Sequence, residues 1–319
     1  MNLIHEKKFT KEILSFLKSN LGSFLSNYMD QLSLNANPHI IVVYYQSEVI
    51  GVFLGERSEQ IATVYELKLI VFKIKVQLDS NFWNRFRESC IKVGLSVVVC
   101  LYLDSSMSIN IPIEDLSRNF HCSDVIRMGI NYEDYVKIES SLGKTDLDYL
   151  VFGRNFPLNM NGVSKIIQAA EIGSVSIAEY IKLYDSYREM ETQRIIKKII
   201  NRFPEYQTQM LIRTLKGDFG VIDKDISMAL RCEGELIGYI LVTINERNQA
   251  FILEVNVHPK FQGLGLGALL VRNSSIKCFE YKKCTIVKGL IEKNHLMRDF
   301  YEKWGSTILK EGKEGIWIL

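Results

Sequence analysis

The sequence lacks an excess of either charge. Its 319 residues include 39 Lys and Arg against 37 Asp and Glu, a formal net charge of +2. Proteins that bind the nucleic-acid backbone depend on clustered basic residues, so we expect no nucleic-acid partner. Hydrophobic residues make up 47% of the chain and charged residues 24%, which is ordinary for a globular protein. This length indicates about two domains, each able to bury a core.

Long apolar segments and paired cysteines are also missing. The longest apolar run, Leu95–Leu103, is far shorter than the ~20 residues that span a bilayer. The charged N-terminus has no apolar signal-peptide core. The six cysteines form no CxxC pair and no Cys/His metal spacing. We therefore expect a reduced, cytoplasmic protein with no membrane partner and no metal site.

Similar segments recur along the chain at nearly one spacing. Three pairs of positions stand 187, 188 and 189 residues apart, respectively: Gly51 and Gly238, Glu66 and Glu254, and Val97 and Ile286. Such a spacing indicates a tandem duplication, although two β-hairpins also resemble each other by chance. The repeat predicts domains at 1–141 and 173–319, joined by a linker at 142–172 that is punctuated by Gly, Asn and Pro.

The segment Leu253–Leu270 carries the pattern with chemical meaning. A strand ends in Val-His-Pro, and a glycine-rich turn opens directly into a helix. Glycines let backbone N–H groups approach a ligand closely, and a helix N-terminus adds about half a positive charge. Together these features predict a pyrophosphate site that needs no Lys or Arg.

Two other phosphate-binding loops were weighed against this turn. A Walker loop is excluded because the turn carries no Gly-Lys-Ser/Thr. The dinucleotide fingerprint G-x-G-x-x-A fits Gly263–Ala268, with Glu292 downstream as a ribose ligand. However, the strands before the turn read as an antiparallel meander, and few elements follow it, which argues against a dinucleotide fold.

The turn resembles motif A of the GCN5-related N-acetyltransferase (GNAT) family, Q/R-x-x-G-x-G/A, with Gln262, Gly265 and Gly267 at the motif positions. Asn294 and Tyr301, seven residues apart and followed by a glycine, resemble its motif B and predict one shared helical face. The resemblance covers the last 90 or so residues well. It implies an α+β (mixed α/β) fold with two GNAT-like domains, each a mostly antiparallel mixed sheet flanked by helices.

The resemblance also implies acetyl-CoA as the acyl donor. In this family the strand before the turn separates from its neighbour and offers free N–H groups to the pantetheine arm, a role that falls to Val255 and Val257. Asn294 would hold the cofactor arm. The backbone amides of the turn would hold the pyrophosphate: Gln262, Gly263, Leu264, Gly265, Leu266, Gly267 and Ala268.

Two residues are candidates for catalysis. A free amine has a pKa of ~10 and must lose a proton before it attacks a thioester, so Glu254 is the candidate base, acting through water. Tyr301 would donate a hydrogen bond to the departing thiolate. Tyr301 could instead be a core aromatic residue. Glu254 could be an exposed strand carboxylate, since Glu66 stands at the corresponding place in the first copy.

The first copy lacks the glycine turn. The window 188 positions earlier, residues 74–79, contains no glycine and continues a strand pattern, and residues 105 and 106 replace Asn294 with serine. We therefore interpret the first copy as degenerate and unable to bind the cofactor in the usual way. It would pack against the active domain or form a wall of the acceptor site.

The sequence thus predicts an acetyl-CoA-dependent N-acetyltransferase, acting as a monomer or homodimer on a primary amine of a small molecule such as an amino sugar, amino acid or antibiotic. The acceptor would lie near Tyr184, Tyr187, Arg188 and Glu189. The alternatives are a non-catalytic acyl-CoA-binding or scaffolding protein, a protein N-acetyltransferase and a dinucleotide oxidoreductase.

Overall fold

A computed structural model of the protein divides the chain into two compact units. Unit 1 comprises Met1–Val125 and Glu311–Leu319, and unit 2 comprises Ile126–Lys310. The structure describes residues 1–21, 38–57, 64–73, 78–103, 108–109, 121–142, 155–160, 162–187, 204–295 and 297–318. None of the helices in these ranges combines the length and apolar composition that a membrane crossing requires.

Unit 1 is a mixed sheet with helices packed on it. Its elements are β1 (Asn2–Glu6), α1 (Lys11–Leu21), β2 (Pro38–Tyr45), β3 (Glu48–Arg57), β4 (Val64–Phe72), α2 (Ser80–Lys92), β5 (Val97–Leu103) and β6 (Ser108–Ile109). Strands β1 to β4 pair antiparallel in chain order, and β4 pairs parallel with β5. The apolar face of α1 packs against β2, β3 and β4. The aromatic residues of α2 pack with Phe53 and Phe72 in a second cluster.

Unit 2 repeats this plan. Strands β7 (His121–Asn131) and β14 (Thr307–Ile318) have residues in both units. The elements between them are α3 (Tyr132–Leu142), β8 (Asn155–Met160), β9 (Val163–Glu171), α4 (Ile177–Tyr187), α5 (Pro204–Lys216), β10 (Met228–Cys232), β11 (Glu235–Ile244), β12 (Gln249–Val257), α6 (Leu266–Ile276), β13 (Ile286–Glu292) and α7 (Arg298–Lys303). Strands β8 to β12 pair antiparallel in chain order, and β12 pairs parallel with β13. The predicted α+β fold class, with mostly antiparallel mixed sheets, is confirmed.

The copies exchange their tail strands. Strand β7 follows the first copy along the chain, but it lies next to β13 in the sheet order and ends within unit 2. Strand β14 follows the second copy, and its end pairs antiparallel with β5, from Lys313 opposite Leu103 to Ile318 opposite Val97. The ring of Trp317 stacks on Phe86 at 5.6 Å between centroids, so unit 1 takes both a strand and core contacts from the far end of the chain.

The units therefore do not follow the predicted boundaries. Helix α3 belongs to unit 2, because Glu139 accepts two hydrogen bonds from Arg272 at 2.9 Å each and the ring of Tyr135 stacks on Phe279 at 4.7 Å. The segment predicted as a linker at 142–172 contains the hairpin β8–β9, and β9 pairs with β10. Of the residues that suggested a linker, Gly162 lies in the turn of this hairpin, and Asn155, Pro157 and Asn159 lie on β8 itself.

Candidate active site

The glycine turn leads from β12 into α6 through two left-handed residues. Gly263 and Gly265 have φ angles of 76° and 79°, a region that side chains rarely tolerate. A Cβ atom at either position would meet no atom within 4 Å. The backbone conformation therefore requires glycine here, while the space in front of the turn is open. Gly267 lies inside α6, where a Cβ would make only ordinary contact with Val257 at 3.8 Å.

The N-terminus of α6 carries no side-chain cap. Gly265 occupies the N-cap position and has no side chain to offer, and no side-chain hydrogen bond caps this end of the helix. The N–H groups of a helix's first turn have no intrahelical acceptor and carry its partial positive charge. Leu266 is buried in the core, so only its backbone can face a ligand. Leu264 and Ala268 are half-buried.

Gln262 closes the turn on itself. Its side-chain amide donates to the carbonyl of Val257 at 2.9 Å, and its backbone N–H donates to the carbonyl of Pro259 at 3.2 Å. Both groups are therefore committed to holding the turn against the end of β12. Of the seven amides predicted to face a pyrophosphate, that of Gln262 already has an acceptor.

Strands β12 and β13 separate beside the turn. Their parallel pairing begins at Gln249 and stops at Ile252 opposite Gly289, although β12 continues to Val257. The N–H of His258 donates to Ile237 on the β11 side at 2.8 Å. Because successive N–H groups along a strand point to opposite edges, those of Val257 and Val255 point to the β13 edge, where the pairing has already ended.

A β-bulge turns Glu254 to one face of the sheet. Leu241 lies opposite Glu254, but the next pair is Val242 opposite Ile252, so Leu253 is an extra residue on β12. A bulge of this kind redirects the side chains beside it. Leu253 packs in the cluster that contains α4, whereas Ile252 packs in the cluster that contains α6. Glu254 and Asn256 follow on the α4 side.

Tyrosines and one amide surround Glu254. The Asn256 side chain donates to Glu254 Oε1 and to the hydroxyl of Tyr239, both at 2.8 Å. Burial raises the pKa of Tyr239 well above its ordinary value, and the charge of Glu254 raises it further. The same two causes, in the same order, raise the pKa of Tyr180. The Glu254 carboxylate thus belongs to a small polar cluster in the otherwise apolar contact between the sheet and α4.

Tyr301 lies at the point where the two strands part. It lines a small, mostly apolar cavity together with Ile252 and Gly289, the last residues paired between β12 and β13. It packs against the α6-side cluster that also receives Val255 and Val257. Burial raises the pKa of Tyr301 to about 12. The hydroxyl therefore stays protonated through and well above neutral pH.

Asn294 does not share a helical face with Tyr301. It is exposed in the turn that follows β13, and α7 begins only at Arg298. The prediction of a shared helical face is wrong because the chain first makes two turns. In these the N–H of His295 donates to the carbonyl of Glu292 and the N–H of Arg298 donates to the carbonyl of His295, both at 2.9 Å. Asn294 is the second residue after the end of β13, one of the two strands that border the gap.

Comparison with known proteins agrees with this geometry. Residues 183–305 match the model of the Acetyltransferase (GNAT) family. This segment is a GNAT domain. No curated protein matches the chain with significant sequence similarity.

Two solved structures share the fold of nearly the whole chain. One is a GCN5-related N-acetyltransferase from Sphaerobacter thermophilus, which is 11% identical with a TM-score of 0.53, over 98% of this chain and 94% of that one. The other contains the glucosamine N-acetyltransferase region of a fungal multi-domain GH3 β-N-acetylglucosaminidase, which is 12% identical with a TM-score of 0.55, over 99% of this chain and 38% of that one. At these identities the likeness concerns the fold alone.

The strand register distinguishes the GNAT domain from its copy in unit 1. Gly51 lies opposite Phe72 as Gly238 lies opposite Val257, and both copies have a bulge at the same place relative to these glycines. Counting from them, the residue that corresponds to Glu254 is Leu69, which is fully buried. The predicted correspondence of Glu66 with Glu254 is wrong, because the spacing between copies shrinks to 185 on this strand.

The helix that corresponds to α6 is capped by an acidic residue in unit 1. Asp79 is the N-cap of α2, and its carboxylate accepts from the N–H of Phe82 at 2.7 Å. A carboxylate thus occupies the place where the GNAT domain leaves its helix N-terminus open, and it would repel a phosphate. Part of the window predicted to lack glycines, residues 74–77, lies outside the described residues, as do Ser105 and Ser106.

The predicted acceptor region is only partly described. Tyr184 packs in the α4-side cluster with Tyr180 and Tyr239, while Arg188 and Glu189 lie outside the described residues, and of Tyr187 only the backbone is described. The helix that bears these tyrosines begins with a capping box, in which Ser176 and Glu179 form reciprocal hydrogen bonds of 2.8 and 3.3 Å. Sequence reasoning missed Asn256, although its position two residues after Glu254 on a strand places both on one face.

Proposed function

We propose that this protein is an acetyl-CoA-dependent N-acetyltransferase that transfers an acetyl group to a primary amine, by direct attack of the amine on the thioester. The proposal rests on one observation in unit 2: the gap between β12 and β13 leads directly to an uncapped helix N-terminus. The first feature offers N–H groups to an extended chain, and the second offers them to an anion. Unit 1 has an aspartate cap at the matching helix.

The residues present fit acetyl-CoA as the acyl donor. Val255 and Val257 would donate their free N–H groups to the amides of the pantetheine arm. The turn from Gly263 to Ala268 would hold the pyrophosphate, since no side chain at Gly263 or Gly265 obstructs it. Asn294, exposed two residues after the end of β13, would hold the arm. The bound thioester supplies the acetyl group.

Glu254 would act as the base. An alkyl amine has a pKa of ~10 in water and is mostly protonated at pH 7, so attack requires that a proton be removed. Glu254 is half-buried on the α4 side of the sheet, beside the strand gap and near the buried Tyr239 and Tyr180. The amine would approach from this side and pass its proton to the carboxylate, directly or through one water.

Tyr301 would stabilise the departing thiolate from the opposite side of the sheet. Its pKa of about 12 exceeds the ~8.5 of a thiol by enough to make complete proton transfer unfavourable by ~5 kcal/mol. The hydroxyl therefore acts as a hydrogen-bond donor to the negative sulfur and keeps its proton. The thiolate then takes its proton from solvent.

Replacing Tyr301 by phenylalanine is expected to reduce kcat about 10- to 150-fold while leaving acetyl-CoA affinity unchanged. This loss corresponds to one hydrogen bond to a charged group, which contributes ~1.5–3 kcal/mol. In the wild type, Tyr301 should cause no alkaline loss of activity below about pH 11, because its raised pKa keeps it protonated. Steady-state kinetics and calorimetric titration measure the two effects. Tyr281→Phe, at an exposed tyrosine, is the matched control. A binding protein without turnover would show equal, background rates for all three proteins.

The function itself is tested by donor binding and by an acceptor screen. At acetyl-CoA concentrations a hundredfold above Kd, binding should stabilise the fold by ~2.7 kcal/mol, seen as a rise in Tm. Release of free CoA thiol should then depend on one class of added amines, with amino sugars, amino acids and aminoglycoside-type antibiotics as the first set. If neither acetyl-CoA nor any longer acyl-CoA species raises Tm, the proposal is ruled out.

A further inference from the structure

The side-chain amide of Asn256 joins the carboxylate of Glu254 to a fully buried hydroxyl. The amide nitrogen is 2.8 Å from Glu254 Oε1 and 2.8 Å from the hydroxyl oxygen of Tyr239. An asparagine amide has two hydrogens, so each acceptor takes one. The reverse orientation of the amide would place its carbonyl oxygen against a carboxylate, which is repulsive. The two contacts therefore fix the amide in one orientation.

Tyr239 provides a rigid anchor for this arrangement. It lies on β11 opposite Asn256 in the antiparallel ladder, and none of its side chain is exposed. Its ring meets the ring of Tyr180 edge-on at 4.9 Å. A hydrogen bond also joins its hydroxyl to Glu254. The carboxylate is thus held by two neighbours, of which one is itself immobilised in the core.

We propose that Asn256 and Tyr239 are positioning residues that hold the Glu254 carboxylate toward the amine and keep it ionised. This inference rests on the proposed function. The bulge at Leu253 places Glu254 on the α4 side, and the amide of Asn256 binds its Oε1. Donors to a carboxylate favour its charged form, so the amide also extends the pH range over which the base is active toward lower pH.

The decisive variant is Asn256→Asp, which keeps the size of the side chain and replaces the donor by a second carboxylate. Two carboxylates at this distance cannot both ionise easily, so the pKa of one rises strongly. We expect the acid limb of the pH profile of kcat/KM to move up by about one unit or more, with acetyl-CoA affinity unchanged. Tyr239→Phe should move the acid limb in the same direction by a smaller amount. It provides a second test if Asn256→Asp does not fold.

Asn245→Asp adds the same charge at an exposed turn of unit 2 and should leave the limb in place. An NMR titration of the Glu254 carboxyl in ¹³C-glutamate-labelled protein, assigned with Glu254→Gln, gives a readout that needs no turnover. If the wild type transfers acetyl groups but Asn256→Asp shifts neither the acid limb of kcat/KM nor the titration of the Glu254 carboxyl, this inference alone is overturned. A wild type that transfers to no acceptor overturns the proposed function, and this inference with it. A loss of activity with an unchanged pH profile assigns Asn256 a merely structural role.

Discussion

Replacing Gly265 by valine is expected to abolish acetyl-CoA binding. Gly265 has a φ of 79° and is the N-cap of α6, so a β-branched residue would cost ~1–2 kcal/mol in backbone strain alone. The added side chain would also enter the open space in front of the first-turn N–H groups. We expect affinity to fall at least about 100-fold, or ~2.7 kcal/mol, measured by calorimetric titration and by loss of the rise in Tm.

The turn of the β10–β11 hairpin supplies the control for this substitution. Gly234 has a φ of 83°, and a Cβ there would meet no atom within 4 Å. Gly234→Val therefore imposes the same strain away from the strand gap and should lower Tm without changing affinity. If Gly265→Val folded and bound acetyl-CoA as well as Gly234→Val does, the turn would not be the pyrophosphate site.

Replacing Glu254 by glutamine is expected to lower kcat/KM for the amine about 10²- to 10⁴-fold, the usual contribution of a general base. Glutamine keeps the shape and can still meet Asn256 and Tyr239, but it cannot take up a proton. Acetyl-CoA affinity should be unchanged, because acetyl-CoA is held by backbone N–H groups at the edge of β12 that faces β13. The activity lost should return in part at high pH, where more of the amine is already deprotonated.

Glu246→Gln, in the exposed turn between β11 and β12, removes the same charge without touching the site. Stopped-flow or endpoint detection of free CoA thiol compares the two variants over a range of pH. Equal rates in Glu254→Gln, Glu246→Gln and the wild type would show that deprotonation of the amine does not depend on this carboxylate, and a structural role for Glu254 would then be preferred.

The glycine turn could be predicted from sequence because its conformational demand is local. Left-handed φ angles at Gly263 and Gly265 need a specific residue type, and the helix that follows has its own pattern. The fold class followed from the resemblance of this turn and of the segment after it to the GNAT motifs. The capping box of Ser176 and Glu179 is likewise a local pattern, a serine followed three residues later by a glutamate.

The features that sequence reasoning missed are set by pairing between distant segments. Gly51 and its partner Phe72 are 21 residues apart, but Gly238 and its partner Val257 are only 19 apart. A constant spacing between copies therefore aligned Glu66 with Glu254, whereas the register assigns Leu69 to that place. No sequence pattern in 142–172 predicts that β9 pairs with β10. The tail strands give no sign of which sheet they join, because an apolar strand suits either one.

The exchange of tail strands has a consequence for synthesis of the chain. Lys313 pairs with Leu103, so the edge of β5 has no β14 to pair with until some two hundred further residues have been made. At ~5–20 residues per second that interval is roughly 10–40 seconds. During it the nascent unit 1 presents an apolar strand edge of the kind that invites aggregation. The half of the protein that is made first is therefore completed last.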